Sequence, residues 1–262
     1  MTASIVRIHA ILTRHLLLTF RTIDRILNIV YWPAITLVVW GGNLLWMEQQ
    51  TNNLATTHAV FFSMILWQVM YRVSLEVANS LMEELLSRNL VNLFSTAVSL
   101  TEWIVAITCL ALINMTLIAL FGTGLLHFGF GLHITSLGPL LWISLFSLMI
   151  SGLSIGFLIC SIFITWGRAV RDFMHALVWI VGVFSAMYYP LRVMPQAAQY
   201  VANLLPTSYI FESIRSTTQN GIINYEYLVK GLALNVVYFV VSIFIFYAAF
   251  HRSKQQGLGR LE

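Results

Sequence analysis

Between Leu140 and Trp166 no side chain carries a charge. A helix rises about 1.5 Å per residue and the hydrocarbon core of a bilayer is ~30 Å thick, so about 20 apolar residues cross it. A run of that length has no stable place on the outside of a water-soluble domain. The rest of the chain is built the same way: of 262 residues, 59% are hydrophobic and 9% charged, against roughly 45–50% and about 25% in soluble domains. A soluble fold of this size could not hide so much apolar surface. The expectation is an all-α integral membrane protein, one transmembrane domain over residues 1–262.

Apolar runs at residues 27–46, 58–79, 103–126, 140–166, 173–189 and 228–250 read as six transmembrane helices. Trp32, Trp40 and Trp46 mark the first, and Pro33 sits near its start, where a missing N–H is tolerable. Gly152 and Gly156 in the fourth are a small-residue pair that lets a neighbouring helix come close, read here as packing and not as a dimer motif. Ahead of the spans, Ile5, Ile8, Leu12, Leu16, Phe20, Ile23 and Leu27 recur every three to four residues, while Arg7, Arg14, Arg21 and Arg25 form a second stripe. That pattern predicts an N-terminal amphipathic helix over residues 1–26 lying in the membrane interface. It lacks the continuous apolar core of a cleavable signal peptide. Pro190, Pro195 and Pro206 divide residues 190–221 into pieces too short to span, which predicts short re-entrant outer helices before span six.

Orientation follows from Lys and Arg beside the spans. Arg7, Arg14, Arg21, Arg25, Arg88, Arg168, Arg171, Arg252, Lys254 and Arg260 fall on one side, and Arg192, Arg215 and Lys230 on the other. Both termini are therefore expected in the cytoplasm of a multi-pass protein.

Residues 81–100 interrupt the apolar pattern. Met82, Leu85, Leu86, Leu90, Leu93 and Phe94 keep a helical stripe, with Glu83, Glu84, Ser87, Arg88, Asn92 and Ser95 on the other face. Glu84 and Arg88 are four apart, acid first, the favourable order for a helical ion pair. One short cytoplasmic helix over residues 81–95 is expected.

Candidates for chemistry are few. The chain contains no nucleotide-binding loop, metalloprotease motif, paired-cysteine motif or nucleophile elbow. Cys109 and Cys160 lie inside apolar runs, and the seven histidines are scattered without metal-ligand spacing. Basic residues do not cluster with aromatics on a soluble segment, which argues against nucleic acid as a partner. Neither enzyme activity nor a cofactor held by this chain is expected. Arg72 and Glu76 form the only ionisable pair within a span, read either as a polar inner gate or, more economically, as a pair that tightens packing. Asn114 and Asn235 read as interhelical hydrogen bonds. With no energy source and no midplane carboxylates for ion coupling, the chain reads as a membrane subunit powered by a partner.

The order of parts resembles the permease subunits of type-2 ATP-binding-cassette exporters. The likeness covers nearly the whole chain and is carried by SLMEELLSRNLVNLFSTAVSLTEW, the turn TWGRAVRDF and the segment YYPLRVMPQAAQYVANLLPTSYIFESIR. In the last of these, Pro195, the Asn203-to-Pro206 junction, and Glu212 with Arg215 follow the family pattern. The ending GLGRLE is similar too, whereas Ala97 stands where many relatives carry proline. The resemblance implies a half-transporter of the bacterial cytoplasmic (inner) membrane. It would work with a second permease chain, identical or not, and with separate ATPase subunits that bind the ATP. Helix 81–95 becomes the coupling helix that enters a groove on the ATPase, with Glu83, Glu84 and Arg88 as coupling residues. The expected cargo is amphiphilic or polymeric: polysaccharide, glycolipid or drug-like. The competing class is a channel-like or structural membrane protein that needs no ATPase.

Overall fold

Backbone N–H and C=O groups in lipid must be satisfied within their own segment, so long apolar runs become helices. The structure, a computed structural model, describes residues 2–21, 23–51 and 54–261. Within these, the side chains of 2, 20, 24–26, 28, 29, 44, 45, 47, 48, 50, 51, 54, 168 and 261 are outside the description, and with them Arg25 and Arg168 of the basic set. The helices are α1 (Thr2–Arg21), α2 (Ile23–Thr51), α3 (Leu54–Leu86), α4 (Leu90–Ser95), α5 (Leu100–Phe130), α6 (Pro139–Trp166), α7 (Phe173–Phe184), α8 (Gln196–Leu204), α9 (Pro206–Asn220) and α10 (Tyr225–Gln255), with short 3₁₀ turns between some of them. No strand occurs among the described residues. Four helices, α3, α5, α6 and α10, are long and apolar enough to cross a membrane. The fold is that of an all-α membrane protein.

Helix α3 is the hub, packed against α2, α5, α6, α7 and α9. Its residues 59–67 are buried without a break. It is also the least hydrophobic of the four long helices, with a mean hydropathy of 1.3 against 2.2 to 2.5 for the others. Polarity is thus gathered on the most buried of the four, where Ser63, Ser74, Ser80 and Glu84 are buried. Helix α6 crosses α3 at Gly152 and Gly156. A Cβ on Gly152 would lie 2.7 Å from the Met70 carbonyl oxygen, and one on Gly156 would lie 2.7 Å from Val77 Cβ. The glycine pair therefore serves a crossing within the chain, as its spacing predicts. Helix α10 is fixed to α6 by Asn235, whose amide donates to Ser147 Oγ at 2.6 Å while its oxygen accepts from Ser151 Oγ at 2.6 Å.

Three segments differ from the sequence expectation. Helix α2 starts at Ile23, before residue 27, so Pro33 lies inside it and not near its start. The fifth apolar run stops being helical at Phe184 and not at residue 189: Ser185 Oγ donates back to the Gly182 carbonyl, and Ala186 takes a left-handed φ of 58°. Its 12 residues extend about 18 Å, short of ~30 Å. Helix α9 takes up where α7 stops. Ser208 Oγ at its start donates to the Phe184 carbonyl, and Gln219 at its end donates to Thr56 Oγ1 in the first turn of α3. The third difference concerns residues 81–95, which are not one helix. Residues 81–86 complete α3, residues 87–89 turn, and α4 holds only the last six.

Candidate functional site

The turn after α3 is a Schellman motif. Asn89 N–H bonds the Glu84 carbonyl at 2.9 Å and Arg88 N–H the Leu85 carbonyl at 3.3 Å. Its left-handed position belongs to Arg88, at φ 52°. An L-residue with a side chain pays roughly 1–2 kcal/mol there, which glycine avoids. The break removes the geometry for a Glu84–Arg88 pair. The Arg88 side chain instead stands exposed beside Leu86, which is 44% exposed, and it makes no hydrogen bond or ion pair with a described residue.

Glu84 points the other way. It is fully buried, its carboxylate 2.7 Å from Arg14 Nη1 and 2.8 Å from Asn89 Nδ2, which donates to it. The buried His15 ring lies between this carboxylate, at 3.7 Å, and that of Glu83, at 3.9 Å. Of the three residues expected on a docking face, only Arg88 is exposed; Glu83 is half-buried and Glu84 holds the N-terminal helix. The miss has a simple cause. Residues 81–85 belong to a largely buried helix, so Glu84, opposite the apolar stripe, meets α1 and not water.

A second carboxylate, not singled out from sequence, completes the clamp. Glu102 forms a capping box with Ser99 at the start of α5. It also accepts from Ser4 Oγ at 2.6 Å and from Arg7 Nε and Nη2 at 3.1 and 2.6 Å. The hydrogen bond to Glu102 raises the Arg7 pKa above its ordinary value. The Ser-x-x-Glu pattern at residues 99–102 was the available signal. Helix α1 thus turns Arg7 and Arg14 toward protein carboxylates, buries a line of Ile11, His15 and Thr19, and leaves Ile5, Val6, Leu17 and Leu18 exposed. The capping box also starts α5 cleanly without a proline at position 97.

Beside the clamp lies a cavity of about 680 Å³ between α2, α3, α5 and α7. Its α3 wall runs from Trp67 to Glu83, about 24 Å at helical rise, and includes both Arg72 and Glu76. The Arg72 guanidinium lies 5.3 Å from the Tyr71 ring centre. Both members of the Arg72–Glu76 pair therefore line this cavity. Asn114 and Asn235 part company here. Asn235 is bonded on both sides, whereas Asn114 lines the cavity, is 4% exposed, and neither of its amide atoms has a hydrogen-bond partner among the described residues.

The remaining predicted residues brace the segment between α7 and α10. Pro195 is the N-cap of α8 and Pro206 opens α9. Arg215, 4% exposed, donates to Glu212 Oε1 at 2.7 Å and to the Ala186 carbonyl at 2.8 Å, and Glu212 Oε1 also accepts from Leu191 N–H at 2.7 Å. These bonds pin the bend after α7. Among the described residues no group of three His, Cys, Asp or Glu is placed to hold a metal ion. No family model and no curated protein matches this chain.

Proposed function

We propose that this chain is the permease subunit of an ATP-binding-cassette exporter in the bacterial cytoplasmic membrane. It crosses six times with both termini inside, pairs with a second permease chain, and exports an amphiphilic or polymeric substrate. The energy comes from a separate ATPase subunit that binds the ATP. The observation that carries this reading is Arg88: a cationic side chain kept at a strained left-handed position on an exposed turn, where glycine would be cheaper. Strain at a position whose side chain has no partner among the described residues is explained by an external one. Leu86 beside it supplies apolar contact, and Asn92 and Ser95 extend the exposed surface along α4.

The linkage to the pathway is direct. Helix α3 is continuous from the cavity wall to the turn that carries Arg88. A push on the turn moves α3 as a rod, and α1, held to it through Glu84 and to α5 through Glu102, transmits the movement to α5. Arg72 and Glu76, on that rod, change their position relative to α2 and α7 as it moves. Six crossings correspond to α2, α3, α5, α6, the α7–α9 pair and α10.

The test is co-purification from native membranes, followed by the same experiment on Arg88→Glu. A stoichiometric ATPase subunit that is lost or uncoupled in Arg88→Glu supports the proposal. Its consistent absence from the native chain refutes it and favours the ATPase-independent channel reading.

A further inference from the structure

The connection from α5 to α6 brings together two histidines that lie on different faces of any continuous helix. His127 stands in the last turn of α5, and His133 follows it by six residues. Neighbours on one helical face are three or four apart, so a straight continuation would separate them. Gly131 prevents that by taking a left-handed φ of 65°. Its N–H donates to the His127 carbonyl at 3.2 Å, and Leu132 N–H donates to the Leu126 carbonyl at 3.1 Å. The chain folds back, and the two Nδ1 atoms lie 2.9 Å apart with ring centres at 4.7 Å.

Both backbones are anchored. Leu126 is fully buried and Ile134 is 1% exposed, and the His133 carbonyl accepts from Ser136 N–H at 3.0 Å in the 3₁₀ turn Ile134–Leu137. The Phe128 ring stands edge-to-face with His127, 4.8 Å centre to centre. Both imidazoles are themselves exposed. Helix α5 has 31 residues, about 46 Å of helix against a hydrocarbon core of ~30 Å, so its last turn reaches past the core to water. Two nitrogen lone pairs this close repel unless a proton or a metal ion lies between them. Imidazole binds divalent zinc-like ions at about 2.0–2.1 Å, and at that length nitrogens 2.9 Å apart subtend about 90° at the ion. That angle suits adjacent positions of a square-planar or tetragonal shell, the preference of Cu²⁺ and Ni²⁺, and is narrower than a tetrahedral zinc site needs. No Asp or Glu occurs between Glu102 and Asp172, so this stretch supplies no carboxylate for a hard ion such as Ca²⁺.

We propose that His127 and His133 form a two-nitrogen site for Cu²⁺, with water in the remaining coordination positions. Each Nδ1 gives its lone pair to the ion. In the neutral pair one Nδ1 carries a proton, and on binding that ring takes its other tautomer, with the proton on Nε2. The imidazoles stay neutral and no proton is released. The bound ion ties the end of α5 to the start of the connection into α6. The site goes beyond the exporter reading and requires nothing from it.

The test uses the full-length chain without a polyhistidine tag, in tag-free lipid nanodiscs, titrated with CuCl₂, NiCl₂ and ZnCl₂. Affinity is read by calorimetry, and the ligands of Cu²⁺ by electron paramagnetic resonance. One equivalent of Cu²⁺ should bind most tightly, with a spectrum split by two nitrogens, and Ni²⁺ and Zn²⁺ should bind more weakly. His127→Gln and His133→Gln, both at exposed positions, should each weaken Cu²⁺ binding roughly 100-fold, because the second ligand is supplied intramolecularly. His58→Gln and His251→Gln should leave it unchanged. Bound Cu²⁺ should also raise the unfolding midpoint of the native chain and of neither ligand variant. A one-nitrogen spectrum or no binding in the native chain overturns the proposal without any variant, and leaves the pair as a hydrogen bond alone. So does tighter binding of Zn²⁺ than of Cu²⁺, unchanged affinity in either ligand variant, or loss of the site in either control.

Discussion

Replacing Glu84 with alanine tests whether α1 is held by buried charge. The carboxylate is fully buried, 2.7 Å from Arg14, and Asn89 also donates to it. Removing one partner of a fully buried pair costs about 3–5 kcal/mol. The Arg14 side chain is 41% exposed and can turn to water, which lowers the expected loss to roughly 2 kcal/mol. At 1.36 kcal/mol per tenfold, that is about a 30-fold rise in the undocked fraction of α1. Thr19, 1% exposed on the inward face of α1, reports on it. In a chain with Cys109 and Cys160 replaced by alanine, a cysteine placed by Thr19→Cys reacts with a membrane-permeant maleimide only when α1 lifts. The labelling rate should rise about 30-fold in Glu84→Ala and less than threefold in Arg88→Glu, whose side chain holds nothing. Adding Arg14→Ala to Glu84→Ala should cost little more, because the two act as one unit. Equal labelling in the native and Glu84→Ala chains, or strictly additive effects of the two substitutions, would refute the clamp.

Gly152→Ala and Gly156→Ala should each lower the thermal aggregation temperature in detergent by forcing α3 and α6 apart, a cost of about 1–3 kcal/mol. Gly42→Ala, with nothing within 4 Å of the added carbon, should be neutral or slightly stabilising. Arg215→Lys keeps the charge but loses the two-pronged geometry. The Ala186 carbonyl then loses its buried donor, and hydrogen exchange over residues 186–191 should rise about tenfold. Arg88→Gly should raise stability by roughly 1 kcal/mol, seen as a later unfolding midpoint, and under the exporter proposal it should lower the yield of co-purified ATPase. A fall in stability would mean that the left-handed turn is not strained.

Much of this protein is legible in the residues alone, because lipid removes choices. Charge-poor runs must become helices, the glycine pair at 152 and 156 must meet a close neighbour, and Pro190, Pro195 and Pro206 must break the segment before the last helix. The polar stretch at residues 81–100 is likewise recognisable as an anomaly. Periodicity cannot say which helix lies at the centre. Residues 81–86 keep the same spacing whether their polar face meets water or another helix, and only the docking of α1 turns Glu84 from a presumed surface charge into a buried anchor. The same limit separates Asn114 from Asn235: both are single amides in apolar helices, and their roles are set by what faces them. Asn235 meets two serines of α6. Asn114 meets a cavity that exists because α2, α3, α5 and α7 converge around it, a space that no single segment encodes.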